Sequence, residues 1–182
     1  YLKEQRRLNG NTVVTTVMSN LGLYKSLERE GMKYEQTAVG DKYVAENMME
    51  NDYSLGGEQS GHIIFSRYAA TGDGILTSLM VMEACVEKKA TLCDLAKEMK
   101  VYPQLLRNVR VADKKTAREN QNVVKVVNEV AKSLGSDGRI LVRESGTEPL
   151  IRVMVEAGTD EICRENVERV VKVMEAEGLI VD

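Results

Sequence analysis

The sequence predicts two domains: an α/β domain with a mixed sheet and helices on its faces, followed by an α+β domain with an antiparallel sheet and two helices. The first prediction rests on short apolar or β-branched runs that alternate with helical patterns before Pro103, as in strands joined by crossovers. The second rests on three β-prone segments and two long amphipathic helices after Pro103. We place the domains at residues 12–102 and 103–182, and interpret residues 1–11 as a remnant of a preceding domain or linker.

The first domain follows a charged segment, residues 1–8, which has a helical pattern and no obvious partner, like the end of an element that starts earlier. Residues 11–18 are rich in β-branched side chains and predict a buried strand. Ser19 is the expected N-cap of a helix that stops at Gly31. The remaining predicted elements are a strand at 32–39, a helix at 41–51, a strand at 62–66, an apolar helix at 74–88 and a short helix at 91–99.

The second domain is predicted to open with a strand at 105–111 and a long helix. That helix is predicted to be capped by Thr116-Ala-Arg-Glu119, and valines then recur on one face. Two strands, 139–142 and 150–155, flank a polar turn. A last helix, 160–177, ends at Gly178.

The charge balance excludes a nucleic-acid partner bound through a broad basic surface. Lys and Arg total 25 against 28 Asp and Glu, which gives a net charge of −3 at pH 7. An anionic ligand must therefore be held by arginines placed locally. The longest apolar run, residues 75–86, is interrupted by polar side chains and is too short to cross a bilayer, so we expect no membrane partner.

Cysteine usage indicates a reducing compartment. Cys85, Cys93 and Cys163 are an odd number without metal-ligand spacing, and Cys85 and Cys163 lie within apolar helical patterns. We therefore expect unpaired thiols in a cytoplasmic protein.

A seven-residue segment that begins at Arg143 carries the groups that bind a phosphate. Arg143 offers a planar fork of donors, Ser145 and Thr147 offer hydroxyls, and Gly146 lets backbone N–H groups turn towards an anion. Arg152, just downstream, adds a second guanidinium. These five residues are the predicted phosphate site.

A polar hairpin turn with an arginine exposed on each strand is the alternative interpretation of this segment, because short motifs often occur without function. Glu144 and Glu148 flank the predicted site. Both carboxylates are expected to point away from it, since they would repel a phosphate.

A second polar loop, Gly56-Gly-Glu-Gln-Ser-Gly-His62, has the groups that bind a sugar. The Glu58 carboxylate can accept from two neighbouring hydroxyls, and Ser60 can both donate and accept. His62 is the only histidine and belongs to a residue type suited to acid–base work. The alternatives are that Glu58 caps the following segment and that His62 packs against the sheet.

Together the two loops resemble the α-D-phosphohexomutase superfamily, whose Gly-Glu-x-Ser-Gly-His loop holds the sugar and whose Arg-x-Ser-Gly-Thr loop holds the phosphate. The resemblance runs over essentially the whole chain and corresponds to the third and fourth of the family's four domains. It implies sugar contacts for Glu58, Ser60 and His62, with proton transfer as a further role for His62. It also implies that Lys42, in another cleft-lining loop of the third domain, can approach the sugar or a phosphate. The alternative is that Lys42 is solvated, as lysines at the start of a helix usually are.

Family members move a phosphoryl group between the 6- and 1-hydroxyls of a hexose, using a phosphoserine of the first domain and an acidic metal loop of the second. Neither motif occurs in this sequence, so the resemblance places the nucleophile and the Mg²⁺ ligands outside this chain, with no metal ligand inside it. Glucosamine or glucose 1,6-bisphosphate is the implied intermediate or activator. The implied partners are the N-terminal domains of the same polypeptide. A second copy of the protein, as in a homodimer, is a further partner that the resemblance leaves open.

The substrate implied by the resemblance is a hexosamine phosphate, with glucosamine 6-phosphate and glucosamine 1-phosphate interconverted. A glucose or mannose phosphate is the alternative within the superfamily. A phosphosugar-binding module without catalysis is the alternative of another class, which the missing serine and metal motifs favour for this chain.

Overall fold

The computed structural model describes residues 1–181, which separate between Val101 and Tyr102 into two units. The first unit contains a four-stranded sheet of order β2-β1-β3-β4. Its strands are β1 (Thr12–Thr16), β2 (Lys33–Thr37), β3 (Leu55–Gly57) and β4 (Ile63–Phe65). Because β1 is parallel to β2 and β3 whereas β3 and β4 are antiparallel, the predicted mixed sheet is confirmed.

The helices of the first unit are α1 (Leu21–Arg29), α2 (Asp41–Asn51), α3 (Gly74–Lys88) and α4 (Leu92–Ala96). The helix α2 presses Val44 and Met48 onto Val14 and Ile64 of the sheet. Gly56 permits this close packing, since a Cβ there would lie 2.5 Å from the Met48 sulfur. The strand β3, which leads into the predicted sugar loop, is therefore held against an apolar core.

Two predictions for the first unit were wrong. Asn20, not Ser19, caps α1, because its side chain accepts from the Gly22 N–H at 2.9 Å, whereas Ser19 is buried and hydrogen-bonded to Thr15. Residues 1–8 form a series of turns rather than a helix, and they do have a partner. The Arg7 guanidinium lies 2.6 Å from the Glu83 carboxylate of α3.

The second unit contains an antiparallel sheet of order β5-β7-β6. Its strands are β5 (Gln104–Arg110), β6 (Arg139–Glu144) and β7 (Leu150–Glu156), and its helices are α5 (Lys114–Glu119), α6 (Gln121–Leu134) and α7 (Asp160–Ala176). One face of β7 is buried under α6 and α7 in the main core of the unit, together with Val130 and Val170. The predicted antiparallel α+β architecture is confirmed.

The long helix predicted from Thr116 is divided into α5 and α6. The predicted cap at Thr116 was wrong: the Asp113 carboxylate caps α5 by accepting from the Thr116 N–H at 2.6 Å, so Thr116 lies inside the first turn. Asn120 adopts a non-helical ψ of 127° and caps α6 through Asn122 and Val123. The break leaves α5 beside β6 and β7 as a third helix of this unit.

None of the helices within residues 1–181 is both long enough and apolar enough to cross a membrane.

Candidate functional site

The hairpin formed by β6 and β7 places two arginines directly opposite each other. Arg143 of β6 pairs in register with Arg152 of β7. Because directly paired residues of antiparallel strands project from the same face, the two guanidinium groups lie side by side. The Nε atoms of both are buried, and among residues 1–181 neither has a hydrogen-bond partner.

The electrostatics of this pair favour an anion. Burial, and then the charge of Arg152, lower the pKa of Arg143. Like charges directly opposite across a ladder are destabilising, and a buried unpaired donor retains its desolvation cost. A dianion that accepts from both guanidinium groups would remove both costs at once.

Ser145 is the buried centre of the turn between these strands, with 1% exposure. Its N–H donates to the Leu150 carbonyl at 2.9 Å. Its hydroxyl oxygen accepts from the Glu148 N–H at 3.3 Å and from Arg152 at 3.5 Å. The hydroxyl therefore holds the turn together as an acceptor, and only its proton remains for a ligand.

Gly146 and Thr147 form the exposed tip of the loop. Within residues 1–181, neither backbone N–H has an acceptor. Gly146 does not adopt a positive φ, and a Cβ at this position would meet nothing within 4 Å. A positive φ therefore does not require glycine at this position, but the absence of a side chain leaves open space beside the two N–H donors.

The structure adds one residue that the sequence analysis missed. The Lys114 ammonium donates to the Ser145 carbonyl at 2.8 Å. No sequence signal marks this contact, because it joins residues 31 positions apart through the packing of α5.

The expectation that both flanking carboxylates point away from the site was wrong for Glu148. Its carboxylate lies 3.5 Å from the Arg152 guanidinium. Glu144 instead pairs with Arg118 at 3.3 Å.

The second candidate loop lies in the first unit at the carboxyl ends of parallel strands. Glu58 follows β3 directly, and residues 38–40 follow β2. The Glu58 carboxylate accepts from the Gly40 N–H at 2.8 Å, which links these two strand-end loops. Ligands of open α/β sheets bind at this edge, because loops from several strands converge there.

The three predicted sugar contacts are brought together. The Ser60 hydroxyl donates to Glu58 at 3.4 Å and lies 3.3 Å from His62 Nδ1. Ser60 and His62 are exposed, and Glu58 is half-buried. Gly72 packs against His62, since a Cβ on Gly72 would approach the His62 Cβ to 3.3 Å. The loop thus presents a carboxylate, a hydroxyl and an imidazole on one short polar surface.

Lys42 does not take part in this hydrogen-bonded group. Its side chain is 73% exposed and its ammonium lies 3.7 Å from Glu46 of the next helical turn. It also lies over the Tyr43 ring at 5.9 Å. These contacts are those of a solvated side chain at the start of α2.

A divalent metal does not fit the side chains of residues 1–181. Across residues 1–181, no group of three or more His, Cys, Asp or Glu side chains is placed to hold an ion. The donors of both loops are suited to hydroxyl and phosphate groups instead.

The fold and the candidate site define an α/β unit with a polar strand-end loop, joined in sequence to an antiparallel α+β unit with two facing arginines in its hairpin. The chain belongs to the phosphoglucomutase/phosphomannomutase family. Residues 1–102 match the family's α/β/α domain III, and residues 106–173 match its C-terminal domain.

Curated relatives with high identity are called phosphoglucosamine mutases. The protein of Lachnospira eligens is 57% identical over 181 residues, which is 100% of this chain and 40% of the relative. That of Geobacillus kaustophilus is 59% identical over 97% of this chain and 39% of the relative, and that of Bacillus subtilis is 55% identical over 97% and 40%. The chain therefore spans about 40% of the length of these relatives.

Solved structures share the fold at low identity. An N-acetylphosphoglucosamine mutase of Aspergillus fumigatus in complex with glucose 1,6-bisphosphate matches 93% of this chain and 39% of its own, with a TM-score of 0.75 and 21% identity. The same enzyme in complex with GlcNAc-6P and magnesium matches 93% and 42%, with a TM-score of 0.71 and 21% identity.

Proposed function

We propose that this chain is the substrate-binding part of a phosphoglucosamine mutase, which interconverts glucosamine 6-phosphate and glucosamine 1-phosphate. The observation that carries the proposal is the facing pair Arg143 and Arg152, with two unpartnered N–H donors on the adjoining loop. Such a set fits the oxygens of a phosphate. Relatives 55–59% identical over nearly the whole chain carry the name of this activity.

Each loop has a separate task in this proposal. Arg143, Arg152, Thr147, the Gly146 N–H and the Ser145 hydroxyl proton bind the phosphate that is not being transferred. Glu58, Ser60 and His62 bind sugar hydroxyls, and His62 is the candidate for proton transfer because its ring already hydrogen-bonds within the group. Lys42 has a secondary role, as its exposed ammonium can swing towards an anionic sugar. Phosphoryl transfer depends heavily on such positioning.

The reactive parts lie elsewhere in the complete polypeptide under this proposal. The phosphoserine nucleophile and the Mg²⁺ ligands are assigned to the domains that relatives carry beyond the matched 40%. Glucosamine or glucose 1,6-bisphosphate is the expected intermediate or activator, and the cytoplasm the expected compartment. The mass of the protein in solution tests whether two copies also pair as a homodimer.

A glucose or mannose phosphate is the second candidate substrate, because the matching family model is described by phosphoglucomutase and phosphomannomutase. Turnover of both substrate types by the complete enzyme distinguishes the two. A higher kcat/KM for glucosamine 6-phosphate supports the amino sugar, and a higher value for glucose 6-phosphate or mannose 6-phosphate overturns it.

The recognition itself is tested by an NMR titration of the 182-residue protein with glucosamine 6-phosphate, inorganic phosphate and glucose 6-phosphate. We expect amide shifts in residues 143–147 with all three ligands, and in residues 58–62 only with the sugars. A stronger response to the amino sugar would place specificity in this chain.

The variant Arg143→Ala should weaken phosphate binding tenfold or more, because a hydrogen bond to a charged group is worth about 1.5–3 kcal/mol. Unchanged affinity would overturn the phosphate assignment.

A further inference from the structure

Lys114 is a third cation beside the proposed phosphate-binding loop, residues 143–147, and the proposed function assigns it no role. It is the first residue of α5 and is half-buried. Its ammonium donates to the Ser145 carbonyl at 2.8 Å, and no carboxylate within residues 1–181 forms an ion pair with it. The neighbouring Asp113 carboxylate is already committed to capping α5.

The contact acts on a specific peptide unit. The Ser145 carbonyl and the Gly146 N–H belong to the same planar group, and in a trans peptide they point in opposite directions. A cation that holds the carbonyl therefore directs the N–H away from α5. Hydrogen bonds in series also polarise one another, so the same contact makes this N–H a stronger donor.

The rest of Ser145 is already fixed by other contacts. Its N–H is held by Leu150, and its hydroxyl by Glu148 and Arg152. Lys114 supplies the contact on the carbonyl side. Without it, rotation of this peptide would turn the negative carbonyl oxygen, instead of the N–H, towards an incoming anion.

We propose that Lys114 is a positioning residue that fixes the Ser145–Gly146 peptide and thereby presents the Gly146 N–H to phosphate. The inference rests on the phosphate-binding function proposed for this loop. It predicts an effect of Lys114 on one identifiable amide, which a general contribution of positive charge would not produce.

Lys115 provides the matched control. It is the next residue of α5, carries the same charge and is exposed. No hydrogen bond or ion pair joins it to the loop within the described chain. Replacing Lys115 therefore removes the same long-range charge while leaving the Ser145 carbonyl held.

The experiment compares Lys114→Met, Lys114→Gln, Lys114→Arg and Lys115→Met in the ¹⁵N-labelled 182-residue protein, titrated with inorganic phosphate at low and high salt. Both neutral Lys114 variants should shift the Gly146 amide resonance before phosphate is added. They should also bind phosphate about tenfold more weakly, equivalent to about 1.4 kcal/mol, at both salt concentrations. Lys114→Arg should largely restore both properties, and Lys115→Met should show only a small loss that high salt abolishes.

The inference is overturned when the Gly146 amide keeps its position in the neutral Lys114 variants and their affinity falls no further than that of Lys115→Met. The variant Arg143→Ala separates this failure from failure of the proposed function. Weaker phosphate binding in Arg143→Ala together with normal binding in Lys114→Met would rule out the role of Lys114 and leave the proposed function standing. No effect of Arg143→Ala, or no response of the unmodified loop to phosphate, removes both.

Discussion

Arg143 and Arg152 lie directly opposite each other at one end of the β6–β7 ladder, whereas Arg139 lies opposite Glu156 at the other end. The Arg139 guanidinium is 2.6 Å from the fully buried Glu156 carboxylate, so that charge is paired inside the protein. Among residues 1–181, the carboxylate that pairs with the arginines at the loop end is that of the exposed Glu148, 3.5 Å from Arg152. The same two strands thus carry one ion pair that stabilises the fold and one like-charge pair that is available to the proposed phosphate.

Replacing Arg143 by methionine should separate binding from stability. We expect phosphate binding to weaken tenfold or more, because the loss of a charged hydrogen bond costs about 1.5–3 kcal/mol. The free energy of unfolding without ligand should change by less than about 1 kcal/mol, since the repulsion with Arg152 is removed together with the buried guanidinium. Urea unfolding with and without phosphate measures both quantities.

Arg139→Met is the control for that experiment. It leaves the Glu156 carboxylate buried beside an apolar side chain, so we expect the free energy of unfolding to fall by about 2–4 kcal/mol. This is somewhat less than for a fully buried pair, because Arg139 is partly exposed. Equal destabilisation by the two variants would contradict the distinction between an arginine that stabilises the fold and one that is available for a ligand.

The sequence predicted the sheet types, several helix boundaries and both polar loops, because these follow from periodicity and from residue types that bind phosphate and sugar. It did not predict how Ser145 is used. Which atom of a hydroxyl accepts or donates depends on neighbours such as Glu148 and Arg152, whose positions are set by the turn. Lys114 was missed for a related reason, since its contact with Ser145 exists only once α5 is packed beside the hairpin.

Substitution by alanine should weaken phosphate binding at Gly146 and lower the stability of the fold at Gly56. At Gly146 a Cβ meets nothing within 4 Å and φ is not positive, so the free energy of unfolding should change by less than about 0.5 kcal/mol. The added methyl group enters the space beside the free N–H donors, so phosphate binding should weaken. At Gly56 a Cβ would lie 2.8 Å from Val44 as well as 2.5 Å from the Met48 sulfur. We therefore expect the free energy of unfolding to fall by about 1–3 kcal/mol.

Thermal unfolding and phosphate titration of both variants check this pair. A Gly146→Ala protein with normal phosphate affinity would show that the space beside the loop is not used by the ligand. A Gly56→Ala protein of unchanged stability would show that α2 can move off β3 without cost.

Glu58 should connect sugar binding to the order of the loop after β2. Its carboxylate holds the Gly40 N–H at 2.8 Å, so Glu58→Ala should free that amide as well as remove a sugar contact. We expect faster hydrogen exchange at Gly40 and a loss of the sugar-dependent shifts at residues 60–62. Glu58→Gln retains a carbonyl acceptor and should preserve the protection of Gly40 while weakening sugar binding. Unchanged exchange at Gly40 in Glu58→Ala would contradict the link between the two loops.

The contacts of the segment before β1 should make the stability of the first unit depend on pH in the acidic range. Hydrogen bonds from Arg7 and then Tyr1 lower the pKa of Glu83 below its ordinary value of 4.5. The folded state therefore binds the Glu83 proton less readily than the unfolded state. Its stabilising contribution is complete above the unfolded pKa and is lost as the pH falls through the folded pKa. The difference in melting temperature between the unmodified protein and Glu83→Gln should accordingly be largest at neutral pH and shrink towards pH 3. A difference that stays constant over this range would show that the Arg7–Glu83 pair adds nothing to the anchoring of the segment.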